Sequence, residues 1–155
     1  MTPEKLQKRL CEEIPKLVKN IAFYDQNGKR TPLNVYPQCL PRQKDEDEPE
    51  PFPWCVVKLG DTDVVDMAQD QKQAVSLWFG LYYEKEDCQY QHTMLTMMEA
   101  IKKRFLENPF LDEFSCDAKM KCILDNEDES TYPHYFGGMA LFFNIPNYKR
   151  KDDGC

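Results

Sequence analysis

From Lys72 to Tyr83 the chain alternates with a period of two. Val75, Leu77, Phe79, Leu81 and Tyr83 fall on one parity, and Ser76, Trp78, Gly80 and Tyr82 on the other. Successive side chains of a strand point to opposite faces, so this segment reads as one long strand. A strand of this length belongs in the middle of a sheet. Trp78 and Tyr82 stand opposite the aliphatic parity, and a sheet that is apolar on both faces needs cover on both.

Other segments supply the rest of the sheet. Trp54–Leu59 is a compact apolar strand. Gly138–Ile145 sets Met139, Leu141, Phe143 and Ile145 against Ala140, Phe142 and Asn144, and Pro146 closes it. Leu33–Tyr36 is a short strand that Pro37 confines to an edge or a strand end. Phe114–Ile123 is a further candidate, with Phe114, Cys116, Ala118, Met120 and Cys122 on one face.

Two segments carry helical periodicity. In Thr2–Ile21, Thr2 suits the cap, Pro3 the first helical position and Glu4 the helix dipole. Leu6, Leu10, Ile14, Leu17, Val18 and Ile21 make its apolar stripe, while Pro15 predicts a kink or a split. Asp87–Asn108 carries Tyr90, Met94, Met97, Met98, Ile101 and Phe105 on one stripe and ends at Asn108-Pro109. Two helices cannot provide the crossovers that an all-parallel sheet of some five strands requires. The expected fold is therefore α+β: a mainly antiparallel sheet of about 4–5 strands with two helices packed on one face. With 155 residues, the chain is expected to form a single domain over 1–148 and a polar tail over 149–155.

The loops are acidic. Pro41–Pro53, Gly60–Gln71 and the turn Asp125–Ser130 are rich in Asp and Glu, and the net charge is −7. Such a surface repels the outside of nucleic acid, whose phosphates attract Lys and Arg. Carboxylates such as Asp61, Asp63 and Asp66 could serve a metal-dependent enzyme, but the calcium-loop pattern is broken at Val65 and lacks its glycine. They read as solvated loops. Neither a phosphate-binding glycine loop nor a nucleophile elbow occurs. Seven cysteines without a C-x-x-C pair, in a chain with a charged N-terminus, read mostly as buried reduced thiols, with Cys155 exposed. No cofactor and no metal site is expected. No apolar run approaches the roughly 20 residues of a membrane span, so no membrane partner is expected either.

The order of elements and a closing motif resemble the tail terminator, or minor tail, proteins of long-tailed bacteriophages and prophages. The shared features are an N-terminal helix and a Pro-rich acidic stretch entering a strand at Pro51-Phe52-Pro53-Trp54-Cys55-Val56-Val57. A long alternating strand at Ala74–Tyr83 follows, and then a helix ending near Leu106. Most specific is Tyr132-Pro133-His134-Tyr135-Phe136-Gly137-Gly138-Met139 leading to a final strand that stops at Asn144-Ile145-Pro146. The resemblance implies a structural subunit without catalysis. Such subunits form a closed ring, usually hexameric, on the head-proximal end of the tail tube and cap its polymerisation. The implied partners are further copies of the chain, the tail tube protein and head–tail connector proteins, with DNA only as passing cargo. The implied location is the host cytoplasm during assembly and then the virion tail. Another neck protein, a metal-dependent enzyme and an unrelated adaptor are the alternatives. The long Pro41–Pro53 insert departs from the family pattern. Trp78, Tyr82 and Phe142 are the candidate contacts with a neighbouring subunit, and Asp61, Asp63 and Asp66 candidate contacts with the tube.

Overall fold

The structure is a computed structural model that describes residues 2–42, 51–64, 66, 69–84, 89–124 and 132–147. The expectations for Asp125–Ser130, for the 149–155 tail, for most of the Pro41–Pro53 insert and for the thiols of Cys88 and Cys155 lie outside the described residues. The elements are α1 (Pro3–Leu17), β1 (Asn34–Pro37), β2 (Trp54–Asp63), β3 (Gln71–Tyr82), α2 (Gln89–Glu107), β4 (Phe110–Leu111), β5 (Phe114–Cys116), β6 (Lys121–Leu124) and β7 (His134–Ile145).

Helix α1 begins as its sequence dictates. The Thr2 hydroxyl accepts the Lys5 backbone N–H at 3.2 Å, satisfying one of the first turn's orphan donors. The helix passes Pro15 and stops at Leu17, short of the expected Ile21. Pro15 lies in the last turn, where loss of one N–H costs little further helix. Leu6, Leu10 and Ile14 are fully buried.

Among the described residues seven strands join one sheet of mixed direction, ordered β1-β2-β3-β7 with β5-β4 beyond, while β6 also pairs with β7. Every pair is antiparallel except β1–β2. The expected 4–5 strands are thus too few. β4 to β6 have two to four residues each, too short to show an alternation of their own. The single candidate Phe114–Ile123 is divided: β5 pairs with Phe143 and Asn144 of β7, whereas β6 pairs with Gly137–Ala140. β7 begins at His134 rather than Gly138, because Gly137 and Gly138 pair in register with Phe79 and Trp78 and make no bend. The expected Gly60–Gln71 loop is shorter than its sequence suggests. β2 continues through a bulge between Leu59 and Thr62 to Asp63, and β3 starts at Gln71.

The core lies between one sheet face and both helices. Leu6, Leu10 and Ile14 of α1 and Met94, Met97, Met98, Ile101 and Phe105 of α2 share a cluster with Cys55, Leu77, Phe79, Leu141 and Phe143. Phe105 meets Phe143 edge-on with ring centroids 5.4 Å apart. Of the described cysteines only Cys55 and Cys116 are buried, while Cys11 is half-buried and Cys39 and Cys122 are exposed. The expectation that most would be core residues fails because Cys39 follows the edge strand β1 and Cys122 sits in the short strand β6.

Candidate functional site

Strand register places the alternate residues of β2, β3, β7 and β6 on the face that the helices leave open. At one end of this face Trp54 pairs with Gly80, and Gly80 with Phe136. The Trp54 indole occupies the space above Gly80: a Cβ there would lie 2.3 Å from Cε2 of the ring. Trp54 and Phe136 stand 6.0 Å apart, and Phe52 lies 6.0 Å from Trp54 and 4.8 Å from His134. Phe52 is buried, so the chain itself covers this end.

The middle of the face is different. Val56 pairs with Trp78, Trp78 with Gly138, and Gly138 with Ile123, so these four residues form one row across four strands. Trp78 is 46% exposed and Ile123 44% exposed. Gly138 leaves room between them, since a Cβ at 138 would already reach van der Waals distance of the Trp78 ring. The next row is Lys58, Ser76, Ala140 and Lys121, and both lysines are exposed. Val56 and Gly138 are themselves buried, so Trp78 and Ile123 are the apolar side chains that this row exposes, beside two cations, in a chain whose net charge is −7.

At the far end the carboxylates gather. Gln73 is fully buried on the core face, and its amide donates to the carbonyls of Gly60 and Ala74, both at 2.9 Å. The Thr62 hydroxyl hydrogen-bonds Gln73 Oε1. These contacts span the β2 bulge and fix the strand end that carries Asp61 and Asp63. Asp61, Asp63, Lys72, Asp117, Lys119 and Phe142 border one shallow hollow. Lys72 pairs with Asp117 at 3.4 Å, and the Asn144 amide donates to Asp117 at 2.8 Å. Asp66 lies outside this group: its carboxylate accepts the Gln69 N–H at 3.0 Å and its carbonyl accepts from Asn147 at 3.1 Å. Among the described residues no three His, Cys, Asp or Glu side chains are grouped so as to hold a metal ion.

The structure therefore brings Trp78, Tyr82 and Phe142 onto one face and sets Asp61 and Asp63 beside Phe142, in a strand end rather than a loop. Tyr82 is half-buried. Its hydroxyl donates to the Glu84 carboxylate, and that bond, ahead of burial, pushes the phenol up to about 12. Sequence reasoning missed Phe52, Trp54, Phe136 and Ile123. The signal for Phe136 was present, because the period-two alternation of β7 extends back to His134. Ile123 had none, since β6 is four residues long.

The sequence matches no protein-family model and no curated protein. One solved structure is similar over 94% of this chain and 93% of its own, with 9% sequence identity and a TM-score of 0.45, too distant to carry an argument about function. Among the described residues no helix is long and apolar enough to cross a membrane.

Proposed function

We propose that this protein is a structural assembly subunit of the tail-terminator kind, which forms a closed ring of six copies on the end of a phage tail tube. The observation that supports this reading is the row Val56–Trp78–Gly138–Ile123, in which Trp78 and Ile123 are nearly half exposed beside the buried Val56 and Gly138. A contiguous apolar patch on a sheet face is the kind of surface that a partner covers. A cyclic ring closes through heterologous contacts, so one face of each subunit must fit a different face of its neighbour. In this reading Trp78, Tyr82 and Phe142 face the neighbour, and the end bearing Asp61 and Asp63 meets the tail tube protein. Asp66, held in its own turn, lies beside that end. Head–tail connector proteins then dock on the ring, DNA passes through as cargo, and no bond is made or broken by the subunit.

The test is assembly of purified protein on tail tubes, read by electron microscopy and light scattering. Trp78→Ser and Phe142→Ser are expected to abolish rings or tube capping; at the exposed Trp78 the stability change should be about 0.5 kcal/mol or less, while at the half-buried Phe142 some loss of stability is expected as well. Capping that survives both substitutions rejects the reading.

A further inference from the structure

Next to Tyr82, at the edge of the open face, the turn at residues 22–30, the end of β3 and the start of α2 border a cleft of about 450 Å3. Small-ligand sites commonly span roughly 300–1,000 Å3. Tyr24, Tyr82 and Tyr83 wall it, and Asp25 and Glu84 line it as well. A second, much smaller cavity shares Tyr24, Tyr82 and Tyr83 with it and is lined by Phe23 and Leu81. Among the described lining residues none is Lys, Arg or His.

Both carboxylates are held in place. Asp25 Oδ1 accepts the backbone N–H groups of Asn27 and Lys29, each at 2.9 Å, in a turn closed by Gly28 at a φ of 76°. Glu84 accepts the Tyr82 hydroxyl on its carboxylate and the Tyr132 hydroxyl on its carbonyl. Tyrosine faces attract cations through the ring quadrupole, and charge-assisted hydrogen bonds to carboxylates are the strong ones. A cleft that combines an apolar floor, three tyrosines and two fixed carboxylates is complementary to a positive charge on an apolar stem.

We infer that this cleft binds a guanidinium or alkylammonium group, with its charge at Asp25 and Glu84 and its stem against the tyrosines. The inference stands apart from the ring assembly proposed above except at Tyr82, which both readings use. The charged group can belong to a free amine or to a basic side chain of another polypeptide, and two probes separate these sources. Agmatine and the peptide acetyl-Gly-Arg-Gly-amide are each titrated into the full chain by calorimetry, with acetyl-Gly-citrulline-Gly-amide as the uncharged control. Saturable binding with a Kd of about 1 mM or tighter is expected for at least one charged probe and not for citrulline. Binding of agmatine identifies a site open to free amines; binding of the peptide alone identifies a side-chain site. Tyr24→Ala and Glu84→Gln change exposed positions, and each is expected to weaken binding at least about tenfold, with the melting curve confirming the fold. No saturation by either charged probe at roughly 10 mM overturns the inference, as does affinity unchanged in both variants.

Discussion

Trp54 and Gly80 face each other across the β2–β3 ladder, and the indole fills the space that a side chain at position 80 would take. The relationship is steric and reciprocal. Trp54 lies flat against the sheet only because its partner has no Cβ, and the aromatic end of the face, with Phe52 and Phe136, is built on that. Gly80→Ala is expected to destabilise the protein by about 1–3 kcal/mol, the usual cost of overpacking. Urea denaturation measures it. In the Trp54→Ala background the same change should cost clearly less, so a double-mutant cycle should give a coupling of about 0.5 kcal/mol or more. Additive effects would mean that the indole has another place to go.

Gln73 presents the opposite problem, a polar side chain with no exposure on the core face near the start of β3. Its amide pairs with Gly60 and Ala74 carbonyls, and its oxygen with Thr62, so it takes the place of ladder bonds that the β2 bulge disrupts. Gln73→Leu keeps the volume but leaves the Gly60 carbonyl and the Thr62 hydroxyl without their partner. The expected loss is about 1–3 kcal/mol. Hydrogen exchange should show the loss first at Gly60–Asp63. Uniform destabilisation without faster exchange there would show that the bulge holds itself.

The elements with long, uniform periodicity were legible in the sequence: the β3 alternation, the α1 and α2 stripes and the second half of β7. Legibility failed where geometry is set by a distant partner. Gly137-Gly138 reads as a bend in isolation, yet both residues continue β7 because β3 supplies a continuous twelve-residue ladder beside them. Asp61 and Asp63 read as loop because Gly60 and three carboxylates break the pattern, yet the stretch resumes its pairing with β3 at Thr62–Gln73 and Asp63–Lys72, tied across the bulge by the buried Gln73 amide. β6 holds too few residues to declare itself, so the exposed Ile123 beside Trp78 could be found only from the register. The cleft walled by Tyr24, Tyr82 and Tyr83 depends on tertiary approach of three separate segments, which no local pattern encodes.

The described cysteines should separate by reactivity, because the thiolate is the reacting form. Burial holds the Cys55 thiol well above its ordinary value, and burial together with Asp117 pushes Cys116 up to about 12. Cys39 is exposed, and Cys122 is exposed with a thiol raised by partial burial. Iodoacetamide at about pH 8 is expected to modify Cys39 first and Cys122 more slowly, and to reach Cys55 and Cys116 only in denaturant. Peptide mass mapping over time reads the order. Early modification of Cys55 would contradict the packing of α1 on β2.

Lys5 of α1 and Glu113, between β4 and β5, form an ion pair at 2.9 Å that joins residues 108 positions apart. The Lys5 hydrogen bond, ahead of a backbone N–H, holds the Glu113 carboxyl below its ordinary value. A carboxyl lowered by folding adds stability above its unfolded pKa. That contribution is lost as pH falls through the lower, folded pKa. In Lys5→Met the Glu113 titration, followed by carboxyl carbon NMR, should therefore move up towards the ordinary range near 4.3. Melting at neutral pH should barely change, since exposed ion pairs contribute little. A Glu113 midpoint that stays low in the variant would assign the shift to the backbone amide and leave α1 without this tie to the β4–β5 turn.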